Sequence, residues 1–167
     1  MATLVFVEGV SDQIAVSTLA ARTGRDLEAQ AVSVVPMGGA TNLRKFLDRI
    51  GSEKDGLELA GLCDEREQHL FRAALEHVFV CVADLEDELI RALGVAAVEE
   101  VIDGEGELES FRIMQKQPHQ QGRTVDQQLR RFMGTRSGRK MHYAAALVGA
   151  LDLERVPPPL DRLLAHL

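Results

Sequence analysis

At 167 residues, 46% of them hydrophobic, the chain is long enough for one compact domain with a sizeable core and too short for two large ones. Its net charge of −7 argues against a general nucleic-acid coat protein, and no apolar run is long enough to span a bilayer. Two cysteines in apolar strand-like runs, Cys63 and Cys81, read as small core residues, and a start that enters a strand with no basic flank reads as lacking a signal peptide. The expectation is a reduced, cytoplasmic protein without membrane contact.

The first half alternates strand and helix. TLVFVEG is a continuous apolar run rich in β-branched and aromatic residues, as a strand buried on both faces requires. VSDQIAVSTLAART spaces Ile14, Leu19 and the intervening alanines helically, with Ser11 placed to cap it and Gly24 to end it. AVSVVPM is a second buried strand. GGATNLRKFLDRI is a glycine turn and a helix bearing Leu43, Phe46, Leu47 and Ile50. DGLELAGLCD is a third strand, weakened by its alanine and glycine. EREQHLFRAALE reads as a helix, HVFVCVAD as a fourth strand and LEDELIRALG as another helix. Repeated βα units predict an α/β fold, a roughly four-stranded parallel sheet between helices.

Beyond Gly94 the texture changes. VAAVEEVI fits either one more strand or a short helix. ELESFRIMQKQ, TVDQQLRRFMG and RKMHYAAALVGALDL read as helices, PHQQGR as a loop, and VPPPL as a stiff turn before a terminal helix, DRLLAHL. The predicted organisation is an α/β core over residues 1–95 and a mainly helical C-terminal extension over 96–167. Charge is split the same way. Arg112 to Lys140 holds eight bases against Asp126 alone, so that window is +7 and the rest of the chain −14. A basic ledge beside an acidic centre suits a polyanionic substrate bridged by metal, although a solvated basic helix face would look the same.

In an open parallel sheet the functional crevice lies beyond the carboxyl ends of the strands. Glu8 follows strand one, Gly38 and Gly39 strand two, Asp64 strand three, and Asp84 with Glu86 strand four, all at one edge. Each has a plain reading alone: Ser11 and Asp12 as helix caps, Asp64 and Glu65 as acids on a helix dipole, Asp84 to Glu88 as a solvated helix start, the glycines as a turn. Together, the gathered carboxylates repel one another, and a hard divalent cation with oxygen ligands compensates naturally. No G-x-G-x-x-G follows strand one and no G-x-x-x-x-G-K-[ST] occurs, which excludes a Rossmann dinucleotide site and a P-loop ATPase. Metal-assisted phosphodiester chemistry fits best.

V-E-G-x-S-D after a first strand, P-M-G-G-A-T-N after a second, Asp after a third and D-L-E-D after a fourth together resemble the Toprim domain, and more closely the Toprim nuclease of the OLD (overcoming lysogenization defect) family. The resemblance covers most of the chain, and S-G-R-K is similar to that family's C-terminal basic element. OLD proteins usually carry an ABC-type ATPase ahead of the Toprim domain, and this chain starts at the Toprim element.

The resemblance implies a Rossmann-like Toprim core and a two-metal DNA endonuclease or nickase using Mg²⁺ or Mn²⁺. It places Glu8 and Asp12 on one metal, with Asp64 shared or nearby, and Glu86 on the second with Asp84. Lys140 would stabilise charge on the scissile phosphate. Arg136, Ser137 and Arg139 would grip neighbouring phosphates, helped by amides at Gly38 and Gly39. The single tyrosine, Tyr143, lies deep in a predicted helix, which favours attack by water. Partners implied are DNA and a separately encoded ATPase, and a homodimer stays open. There is one departure: Toprim domains usually show D-x-D after the third strand, whereas here Arg66 stands where the second acid would be. Glu67 could swing in, the second metal could lean on Glu86 and Asp84, or that site is lost. The competing reading is therefore a catalytically weakened module that binds nucleic acid or protein and acts with a separate ATPase. A Toprim-like enzyme acting on RNA or small nucleotides is a third. His69, His77, His119 and His166 have no visible partners in the sequence, and His142 reads either as facing the site or as an exposed helix residue.

Overall fold

The computed structural model describes every residue except Ser137. Four strands, β1 (Ala2–Val7), β2 (Val32–Pro36), β3 (Leu57–Asp64) and β4 (His77–Cys81), form one parallel sheet in the order β2-β1-β3-β4. The chain steps outward from β1 to β2, then crosses back over β1 to β3 and on to β4. The direction of winding reverses between β1 and β3, so their carboxyl ends flank the switch point where such sheets bind ligands.

The period-2 alternation of the strands sends side chains to two cores. Val5, Val7 and Leu62 face one layer, with α1 (Val10–Arg22), α4 (Leu85–Leu93) and the helices that follow. Phe6 and Cys63 face the other, under α2 (Leu43–Ile50) and the short α3 (Gln68–Arg72), with Met37, Phe71 and Leu75. Gly61 in mid-β3 is where Phe71 comes closest: a Cβ there would lie 2.4 Å from its Cδ1. The glycine that weakens β3 as a strand by propensity is thus a packing requirement.

The C-terminal part is helical among the described residues: α5 (Val95–Gly104), α6 (Leu108–Gln115), α7 (Val125–Gly134), α8 (Arg139–Ala150) and α9 (Pro158–His166). VAAVEEVI, open between strand and helix by its sequence, is α5. α8 lies against α1, burying Tyr143, Leu147 and Val148 in the same core as Val5, Val16 and Leu19. Arg22, at the end of α1, donates from Nη1 to the Val148 and Leu151 carbonyls, each at 2.7 Å, satisfying the open end of α8. α9 opens on Pro158 and Pro159, which fit a first helical turn because their missing amides have no intrahelical partner there, and it packs on edge strand β4. VPPPL is therefore the start of that helix as well as a turn. Among the described residues, no helix is long and apolar enough to cross a membrane.

Candidate metal centre

The strand ends bring the sequence-predicted acids together. β1 runs out at Val7, and Glu8 turns its carboxylate across the switch point, where Oε1 accepts the Asp64 amide at 3.0 Å. The tip of β1 is thereby tied to the tip of β3. α1 begins two residues earlier than its serine suggests: Gly9 is the cap residue, Ser11 is buried inside the first turn, and Asp12 reaches back to accept the Gly9 amide at 2.8 Å. The extended glycine leaves its amide pointing at that carboxylate, so the acid and not the hydroxyl supplies the cap.

These carboxylates are electrostatically uncomfortable. Burial first, then the charges of Glu8, Asp84 and Asp12, push the Asp64 carboxyl up to about 7. Burial, and less so the Asp12 and Glu67 charges, raises Glu8 against the opposing pull of the Asp64 amide. Asp12 is raised chiefly by burial and also by Asp84. Lys140 offsets part of the penalty at all three. Acids whose charged forms are disfavoured, facing one shared lysine, are what a site for a missing positive charge looks like. The donors are all carboxylate oxygens, which fits Mg²⁺ or Mn²⁺ and not a softer ion. Among the described residues, however, no three of these oxygens converge within 4.8 Å of one another.

The fourth-strand acids are arranged differently. Ala83 has φ 63, a left-handed conformation that costs a non-glycine residue on the order of 1 kcal/mol, and it turns the chain into Asp84. Asp84 Oδ1 caps α4 by accepting the Asp87 amide at 2.9 Å, and its other oxygen pairs with Arg130 of α7. Glu86 Oε1 lies 2.9 Å from Lys140 Nζ. Both acids expected on a second metal thus already hold a base from the helical part. Arg66 is exposed, and Glu67, partly buried, adds its charge near Glu8.

The basic ledge divides in two. Arg123, Arg130 and Arg131 line an open groove of about 780 Å³ along α7 with Gln127, Gly134 and Thr135, and Arg130 joins this groove to the acidic edge through Asp84. None of those three arginines is singled out by motif; only their place in the +7 window points to them. Arg136 is exposed. Arg139, expected on a phosphate, is instead turned inward. Its side chain is 6% exposed, pairs with Glu107, donates to the Phe132 carbonyl and Thr135 hydroxyl, and lies 4.0 Å from the Phe132 ring centroid. A guanidinium with that many internal partners is a structural fastener of α7 to α8. Ser137 lies outside the described residues. The Gly39 amide, expected at a phosphate, donates to the Glu8 carbonyl at 2.9 Å and pins the β2 loop to the tip of β1, while Gly38, at φ 72, makes the turn itself.

Tyr143 is 1% exposed, its hydroxyl donates to Glu107 at 3.1 Å, and burial drives its pKa far above the ordinary value; as placed it is no nucleophile. Cys63 and Cys81 are free buried thiols. His142 is exposed beside Glu105.

Residues 2–64 match the family described as overcoming lysogenization defect protein-like, TOPRIM domain, a span that contains Glu8, Asp12, Gly38, Gly39 and Asp64. Solved structures resemble the whole chain. The C-terminal region of the Burkholderia pseudomallei OLD protein aligns over 98% of this chain and 95% of its own, with a TM-score of 0.71 and 18% identity. The C-terminal region of the Xanthomonas campestris pv. campestris OLD protein aligns over 98% and 93%, with a TM-score of 0.71 and 18% identity, in a structure phased with mercury. In one phased with platinum the figures are 98%, 90%, 0.70 and 20%. At such identities the likeness is one of fold. No curated protein matches the chain. Residues 2–64 are thus similar to the OLD-like Toprim domain, and the chain shares its fold along its length with the C-terminal regions of OLD proteins.

Proposed function

We propose that this protein is a metal-dependent DNA endonuclease or nickase that hydrolyses phosphodiester bonds at the carboxyl edge of its sheet. The observation that carries this reading is the set Glu8, Asp12 and Asp64: three carboxyls with raised pKa values at the β1/β3 switch point, each offset in part by Lys140. Glu8, Asp12 and Asp64 would hold a divalent cation; Asp84 and Glu86 would join a second once Arg130 and Lys140 exchange them for substrate phosphates. Such ions, when bound, supply activation of water and neutralisation of charge at the phosphate.

The chain's own residues do the rest. The Asp64 amide fixes the Glu8 carboxylate, so the two strand tips act as one rigid support. Lys140 Nζ, half exposed and beside Glu86, is placed to meet a phosphate oxygen entering the crevice. Arg123, Arg130 and Arg131 would track the phosphate backbone toward the acids, with Arg136 exposed at the far end of α7. In this division of labour residues 1–95 supply the acids and 96–167 the cations.

A second reading, a weakened Toprim module that binds without cutting, is favoured by Arg66 in place of an acid and by the bases already seated on Asp84 and Glu86. Supercoiled plasmid incubated with Mg²⁺, Mn²⁺ or EDTA separates the two. Nicked or linear product that requires metal is the expected result. Salt-sensitive DNA binding with no cleavage under either metal would replace the nuclease by the binding module.

A further inference from the structure

The opposite, amino-terminal end of the sheet carries a cluster that the phosphodiester site does not use. Glu58 lies near the start of β3 and His77 opens β4; His166 arrives from the last turn of α9. One ligand atom from each of the three lies within 4.8 Å of the others, and theirs is the one such triple among the described residues. Glu58 and Asp64 are six residues apart on one strand, so this cluster sits about 20 Å from the acidic edge.

Three features distinguish it from an ordinary ion pair. His166 Nε2 approaches Glu58 Oε1 at 3.1 Å, yet it is buried and makes no hydrogen bond. A separation that short without a hydrogen bond is close to the spacing in a tetrahedral site, where bonds of about 2.1 Å put ligand atoms about 3.4 Å apart. The His77 and His166 rings have centroids 4.2 Å apart, with Phe79 5.6 Å from His166, so both imidazoles are confined and shielded on one side. Thr3, buried and opposite Glu58 in the β1/β3 register, donates to the other carboxylate oxygen at 3.4 Å, leaving Oε1 for His166. The carbonyl end of α9 adds partial negative charge beside the cluster.

We propose that Glu58, His77 and His166 form a binding site for a borderline divalent cation of the Zn²⁺ type, which clasps α9 to the amino end of the sheet. Two imidazoles and one carboxylate are a zinc donor set, whereas the all-carboxylate edge is not. The site stands independently of the nuclease reading.

The test is titration of metal-stripped full chain with Zn²⁺ against a chromophoric chelator, together with melting curves and the visible spectrum of a Co²⁺ complex. Wild type is expected to bind one equivalent at this site and to gain roughly 5–10 °C in Tm at a hundredfold excess over Kd. Its Co²⁺ complex should show four-coordinate bands without thiolate charge transfer, which sets Cys63 and Cys81 aside. His166→Ala, at the end of the terminal helix, and Glu58→Gln should each weaken binding about tenfold or more. Asp64→Asn should retain it. Absence of Zn²⁺ binding in wild type, or binding that survives His166→Ala and Glu58→Gln but is lost in Asp64→Asn, would overturn the proposal.

Discussion

The two ends of this sheet gather ionisable groups by different rules. At the carboxyl end, oxygen donors crowd beside one another and the nearest cations come from α7 and α8: Lys140 facing Glu8, Asp12 and Asp64, and Arg130 on Asp84. At the amino end, one carboxylate meets two imidazoles and a buried ring nitrogen has no hydrogen-bond partner. The first arrangement stores repulsion that hard, exchangeable ions relieve while leaving room for a substrate. The second stores little charge and suits one tightly held ion that fastens an element. Strand register sorts the sheet's donors, because parallel strands place the acids that follow them at one edge and residues near their starts at the other, and α9 brings His166 to that second edge.

The largest effect expected from breaking one end and not the other is Asp64→Asn. It should reduce metal-dependent cleavage at least about a hundredfold while leaving Zn²⁺ binding at His77 and His166 unchanged, as read by plasmid nicking and chelator competition on the same preparation. Lys140→Ala should cost roughly tenfold to a hundredfold in rate with metal affinity little altered, since the lysine acts on the phosphate; an unchanged rate would remove it from the site.

The pH dependence sharpens the contrast further. Asp64 at about 7 binds its proton more tightly in the folded chain than unfolded, where an aspartate titrates near 4. Its contribution to stability is therefore fully present below about pH 4 and is lost as pH rises through 7. In EDTA, wild type should lose Tm relative to Asp64→Asn between pH 5 and pH 8, and Mg²⁺ should restore more at pH 8 than at pH 5. Equal pH profiles for the two proteins would show that Asp64 is not held protonated.

The smallest effects separate the two arginine roles. Arg139→Ala should destabilise by roughly 2–3 kcal/mol in urea melts, because Glu107 and the Phe132 carbonyl lose a buried charged donor. Arg136→Ala should stay within about 0.5 kcal/mol and weaken only salt-sensitive DNA binding.

Much of this was readable from the chain. The four strands, their parallel arrangement and the acids at their tips follow from apolar runs broken at regular intervals, β-branched in all but β3, because burial on both faces leaves a strong compositional mark. Other features were not. Arg139 and Arg136 are alike in a charge count, and only the packing of α7 on α8 turns one inward. Asp12, not Ser11, caps α1 because the helix starts two residues sooner, a boundary that propensity does not resolve. VAAVEEVI is apolar enough for either state, and docking of α5 on its neighbours decided it. His77 and His166 look solitary in sequence since nothing local pairs them; they meet because α9 returns to the β4 edge.

The most direct single measurement is nicking of supercoiled plasmid in Mn²⁺ by wild type and Glu8→Gln, purified identically and shown by circular dichroism to be equally folded. Cleavage by wild type that falls at least about a hundredfold in Glu8→Gln is the predicted result and would locate phosphodiester hydrolysis at the β1/β3 edge. Equal cleavage by both proteins, or none by either, would contradict it.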